Sequence, residues 1–133
     1  MVTIVAVLLL TIRIGISLVE GGIAGHRRAG LQMDIAEGLS VQGVRPYEKV
    51  ALIDARLGEG WQKLMRLVVV AEIPFEERDT FWAADPERRR QIYHALAKSG
   101  AKVLIAPETP NWAQVVGWEK VGATPVYIYR LTP

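Results

Sequence analysis

The chain contains no cysteine, which removes disulfides, thiolate metal sites and a thiol nucleophile at once. Its 133 residues include two histidines. These, His26 and His94, are too far apart for the H-x-x-x-H or H-E-x-x-H spacing of a zinc site. Charge of one sign is scarce as well. Sixteen Lys and Arg against 14 Asp and Glu leave a net +2, far below the basic field that a nucleic-acid partner requires. No segment repeats and none is of low complexity, and Ser17, Ser40 and Ser99 stand in no nucleophile-elbow context. What remains is one domain's length of chain, enough to bury a core.

Half the residues are hydrophobic, and the opening "MVTIVAVLLLTIRIGISLVEGG" supplies much of the excess. The 11 residues from Val2 to Ile12 carry no charge; Arg13 interrupts, and the apolar character then resumes to Val19. Three readings compete. A helix over Val2–Val19 rises about 27 Å, close to a hydrocarbon core of ~30 Å. Arg13 near its centre costs ~2.5–3.5 kcal/mol unless it snorkels. A signal peptide cleaved at Gly22-Ile23-Ala24 lacks the charged n-region, since His26, Arg27 and Arg28 come afterwards. A buried strand draws on Thr3, Ile4, Val5 and Val7. Length and flanks favour the first reading. The expectation is therefore a hydrophobic transmembrane segment over 1–24, either a single N-terminal anchor or the end of a longer membrane helix. A connecting helix and a soluble α/β domain follow over 25–133.

Beyond Gly25 the periods alternate. Leu31, Ile35 and Leu39 recur at helical spacing with Ala36 beside them, until Gly43 and Pro46 stop the helix. "KVALID" (49–54) reads as a buried strand. A helical set of Trp61, Leu64, Met65 and Val68 overlaps "LVVVAEI" (67–73), which reads as a β-branched strand ended by Pro74. Asp85-Pro86-Glu87 supplies an N-cap, a first-turn proline and a first-turn acid. Ile92, Ala95 and Leu96 form that helix's apolar face, and Gly100 closes it. "KVLIA" (102–106) is a third strand. "PVYIYRL" (125–131) alternates as a fourth, with Val126, Ile128 and Arg130 on one side and Tyr127, Tyr129 and Leu131 on the other. Strand–helix alternation predicts a small Rossmann-like α/β fold in three layers: about three parallel strands, plus a C-terminal antiparallel edge strand.

"GVRPYEKVALI", "GWQKLMRLVVVAEIP", "FWAADPERRRQIYHALAKSGAKVLIA" and the final "GW…VGATPVYIYRL" share one collinear pattern. It resembles the C-terminal soluble α/β domain of uncharacterised prokaryotic polytopic membrane proteins, some of them glycosyltransferase-like. The resemblance runs from about Gly25 to Leu131 and rests on structural residues. It implies a last membrane helix leading through a connecting helix into the domain. Two departures stand out: no array of membrane helices precedes the domain here, and Pro46-Tyr47-Glu48 replaces the expected Pro-Gly-Asp. No catalytic residue is carried over.

In a parallel sheet, ligands bind beyond the carboxyl ends of the strands. Asp54, Glu72 and Glu108 fall near such ends and are the candidate ligand-binding residues, as an acid/base pair or cation site if their strands adjoin. Exposed strand ends are also commonly polar without any role. "LGEG" (57–60) lies at a strand–helix junction but lacks the third glycine of the dinucleotide fingerprint, and Glu59 would repel a phosphate. Arg88, Arg89 and Arg90 oppose the dipole at a helix start and are candidate contacts for lipid phosphate or a partner. Glu76, Glu77, Asp79, Asp85 and Glu87 balance them locally. Trp82, beside Phe81, is the candidate for a membrane interface, whereas the other tryptophans, Trp61, Trp112 and Trp118, read as core and rim anchors.

The functional expectation is a membrane-anchored, non-catalytic accessory domain, without cofactor or metal. Its partners would be membrane lipid and other membrane protein subunits. The alternative is a fragment of a glycosyltransferase-like membrane enzyme with its ligand at the carboxyl edge. Sidedness stays open: Arg13, Arg27 and Arg28 argue for a cytoplasmic domain, whereas the resemblance implies an external one.

Overall fold

The computed structural model describes residues 13–18, 29–53 and 60–131. In chain order these form β1 (Arg13–Leu18), α1 (Ala29–Val41), β2 (Lys49–Ile53), α2 (Gly60–Met65) and β3 (Val68–Ile73). A 3-10 turn (Phe75–Glu77), α3 (Arg78–Ala83), α4 (Pro86–Lys98), β4 (Val103–Ala106), β5 (Glu119–Lys120) and β6 (Tyr127–Arg130) follow. The domain is α/β, built on one mixed sheet in the order β1-β3-β2-β4-β6-β5. β2 runs parallel to β3 on one side and to β4 on the other. β1, β6 and β5 each run antiparallel to their neighbour.

The central strands are apolar on both faces because both faces are covered. Val50 through Ile53 and Val103 through Ala106 are buried throughout. On one face Ala51, Ile53, Ile73 and Leu104 meet Phe81, Trp82, Ile92 and Leu96 of α3 and α4. On the other, Val50, Leu52, Val69 and Ile105 meet Ile35, Leu39, Trp61 and Met65 of α1 and α2. Tyr127, Tyr129 and Leu131 join the first cluster, and Val126 and Ile128 the second, as their alternation predicts.

Local signals set the boundaries. Asp85 Oδ1 accepts the Arg88 backbone N–H at 2.8 Å, and Pro86 opens α4. α1 ends with Gly43 at φ 93, where the Val44 N–H reaches Leu39 O and the Gly43 N–H reaches Ser40 O; this is the paired-bond termination that glycine permits. α2 closes the same way, with Leu67 N–H on Gln62 O and Arg66 N–H on Lys63 O. Here the left-handed position, φ 51, is occupied by Arg66 instead of glycine.

Four expectations require correction. The helix expected across Val2–Val19 is not formed over Arg13–Leu18, which pairs with β3 as an edge strand. Within "RIGISL" apolar residues alternate with Arg, Gly and Ser, a period of two that suits a sheet. That edge strand extends the sheet formed by the strands of 25–133; the rest of 1–24, apart from 13–18, lies outside the described residues. Among the described residues no helix is long and apolar enough to cross a membrane.

The core row of α1 is Gln32–Ile35–Leu39, one residue round from the expected Leu31–Ile35–Leu39. Gln32 is buried and Leu31 is 44% exposed. In α2, likewise, Gln62 is buried where Leu64 was expected. The last strand is antiparallel to β4 but does not form the edge, because the two-residue β5 pairs outside it.

Candidate functional site

The parallel strands β3, β2 and β4 end at Ile73, Ile53 and Ala106, and prolines follow directly after β3 and β4. β2 lies between the other two. The ends of β3 and β4 are therefore two strand spacings apart, about 10 Å. Glu72 is the penultimate residue of β3, half-buried and in register with Leu52 on one side and Arg13 on the other. Glu108 is exposed, two residues beyond β4. Asp54 lies outside the described residues. Glu72 and Glu108 thus belong to different, non-adjacent strands. Among the described residues no three His, Asp or Glu side chains gather as a cation site.

Of "LGEG", Leu57–Glu59 lies outside the described residues, and Gly60 opens α2. The Trp61 N–H, which a bound phosphate would use at a helix start, donates instead to Gln32 Oε1 at 2.8 Å. A Cβ on Gly60 would come within 3.0 Å of Gln32 Cγ. This close approach of α1 explains the glycine without a ligand.

The arginine triplet separates into three roles. Arg90 pairs with Glu87 at 2.7 Å on the surface, an exposed ion pair worth ~0–1 kcal/mol. Arg88 contributes its backbone N–H to the Asp85 cap. Arg89 turns inward. Its Nη2 donates to Trp82 O at 2.6 Å and its Nη1 to Gln114 O at 2.8 Å. The guanidinium also lies 5.3 Å from the Phe81 ring centroid and 5.1 Å from that of Trp82. Trp82 O is among the last carbonyls of α3, which lack helical partners and carry the negative end of the dipole. A fixed cation there meets both needs.

Trp82 itself is in the core, at 2% exposure, with its ring 5.0 Å from both Phe81 and Trp118. It therefore faces the interior of the domain and not a lipid interface. The cluster continues through Tyr93, which stacks on Tyr129 at 3.9 Å; the Tyr93 hydroxyl accepts the Trp118 indole N–H at 3.2 Å. Burial pushes the Tyr93 hydroxyl above its ordinary value, while the Trp118 bond and the Arg89 charge pull against it. His94 is exposed.

Sequence reasoning missed Gln32, Tyr93 and Tyr129 and read Arg89 as a candidate contact for lipid phosphate or a partner. One signal existed: Arg89 and Tyr93 are four apart on one helix, which puts them on one face. The aromatic partners come from α3, the loop after β4 and β6, and no local spacing reveals that.

Compared with known proteins, the chain matches no family model, no curated protein and no solved structure.

Proposed function

We propose that this chain is a membrane-associated, non-catalytic accessory domain with a Rossmann-like sheet, acting beside other membrane protein subunits. The observation that carries the reading is the direction of β1. It runs antiparallel to β3 with Arg13 opposite Glu72 and Leu18 opposite Val68, so the strand starts at the carboxyl edge of the sheet. The 11 uncharged residues Val2–Ile12 therefore join the domain at that edge. As a helix they alone measure about 16 Å, half of a ~30 Å hydrocarbon core, which suits insertion into one leaflet. The resemblance to C-terminal domains of polytopic membrane proteins agrees with this reading, and so does the separation of Glu72 from Glu108.

The test is flotation of the full chain with lipid vesicles, beside a full-length Leu8→Asp/Leu10→Asp variant. The full chain is expected to float and the variant to stay in solution with an unchanged circular dichroism spectrum. A full chain that stays in solution rules the reading out.

The strand order supports one second reading. β3 and β4 flank β2 on opposite sides, so the chain reverses its direction of winding at β2, where open α/β sheets take ligands. An enzyme fragment of glycosyltransferase-like ancestry would bind there. Calorimetric titration with a divalent cation and a sugar nucleotide separates the two: heat saturating at one site supports the enzyme.

A further inference from the structure

The carboxyl edge exposes two aromatic side chains. Phe75, directly after Pro74 at the end of β3, is 67% exposed, and Trp112, on the loop leaving β4, is 55% exposed. Single exposed apolar residues need no explanation. These two, however, sit on segments that Arg89 clamps together, since one guanidinium nitrogen binds Trp82 O in the helix following Phe75 and the other binds Gln114 O beside Trp112. They also share the edge at which Val2–Ile12 enters β1.

We infer that the carboxyl edge lies against the bilayer, with Phe75 and Trp112 seated in the headgroup region. The inference rests on the membrane-associated reading above and adds an orientation to it. Aromatic rings with an apolar body settle at this depth, and Trp adds an N–H that stays hydrated. Glu76, Glu77 and Asp79 follow Phe75 and would repel an anionic surface, so the surface that fits is a zwitterionic one. Arg78, whose guanidinium lies 5.5 Å from the Phe75 ring centroid, is paired with Asp79 at 3.5 Å.

The tryptophans make this measurable. Trp61, Trp82 and Trp118 are 2%, 2% and 8% exposed, which leaves Trp112 as the described tryptophan open to a quencher. The full chain is mixed with phosphatidylcholine vesicles carrying brominated acyl chains, beside full-length Trp112→Phe and Phe75→Ser variants. Expected are quenching in the native chain, its loss in Trp112→Phe, and a vesicle affinity about three- to tenfold weaker for Phe75→Ser. Binding with equal quenching in native and Trp112→Phe chains overturns the orientation and leaves the anchor standing. A chain that does not bind the vesicles overturns both.

Discussion

Gln32 Oε1 accepts the backbone N–H of Trp61 at 2.8 Å and so joins α1 to the first turn of α2 across 29 residues of sequence. A side chain that reads as solvent-facing thereby supplies an orphan helix N–H with its acceptor. Gln32→Met keeps the length and removes the acceptor. The buried N–H of Trp61 then has no partner, and stability is expected to fall by about 1–3 kcal/mol. Urea denaturation followed by circular dichroism measures the loss; a midpoint equal to that of the native chain would show that the bond contributes nothing.

Gly38, in the middle of α1, offers a second test. Helix propensity alone makes alanine better there by about 0.8–1 kcal/mol. A Cβ at this position would, however, lie 2.5 Å from Val121 Cγ1, and Val121 is fully buried. Gly38→Ala is therefore expected to destabilise by about 1–3 kcal/mol. Adding Val121→Ala should cost less than the sum of the single changes, with a coupling of at least ~0.5 kcal/mol. Strict additivity in the double-mutant cycle would contradict the contact.

Arg89 is expected to tolerate no conservative exchange. Lysine keeps the charge but lacks the planar fork that reaches Trp82 O and Gln114 O together. Arg89→Lys should destabilise by about 1–3 kcal/mol and alter the near-ultraviolet dichroism of the Phe81–Trp82–Trp118 group. A variant with native spectrum and native midpoint would assign Arg89 to the solvated surface after all.

Tyr93 gives the fold a dependence on alkaline pH. Burial holds its hydroxyl protonated above the ordinary tyrosine value of 10.0. The unfolded chain releases this proton near pH ~10 while the folded chain retains it. The native state then binds more protons than the unfolded state, and stability falls as pH rises. The contribution is complete below pH ~10 and disappears as pH climbs through the folded value. Urea midpoints between pH 9 and 11 (~two units, spanning the ordinary value) should fall more steeply for the native chain than for Tyr93→Phe. Equal slopes would sink the assignment.

Much of the fold is legible in the sequence, for reasons that differ by element. β2, β3 and β4 announce themselves because strands buried on both faces have only apolar choices, and the start of α4 does so because Asp85-Pro86 is a local chemical device. β1 was hidden inside a longer apolar run. Hydropathy alone does not separate a helix from a strand there, and the alternation over Arg13–Leu18 is only 6 residues long. β5 has 2 residues, too few for any period.

The site was less legible. Glu72 and Glu108 were placed correctly near strand ends, but whether such ends adjoin depends on strand order, which is a long-range property. Gln32 and Arg89 were misread for one shared reason. A polar side chain is drawn inward only where a distant carbonyl or N–H awaits it, and that partner is invisible along the chain.

The pairing of β1 with β3 also orders events in time. Leu18 meets Val68, so the strand made first lacks its partner until 50 more residues exist. At synthesis rates of ~5–20 residues per second this wait lasts roughly 3–10 s. For those seconds the uncharged stretch Val2–Ile12, made just before β1, exists without the strands that complete this sheet. Whatever greets the nascent chain, lipid or chaperone, meets this stretch before the fold does.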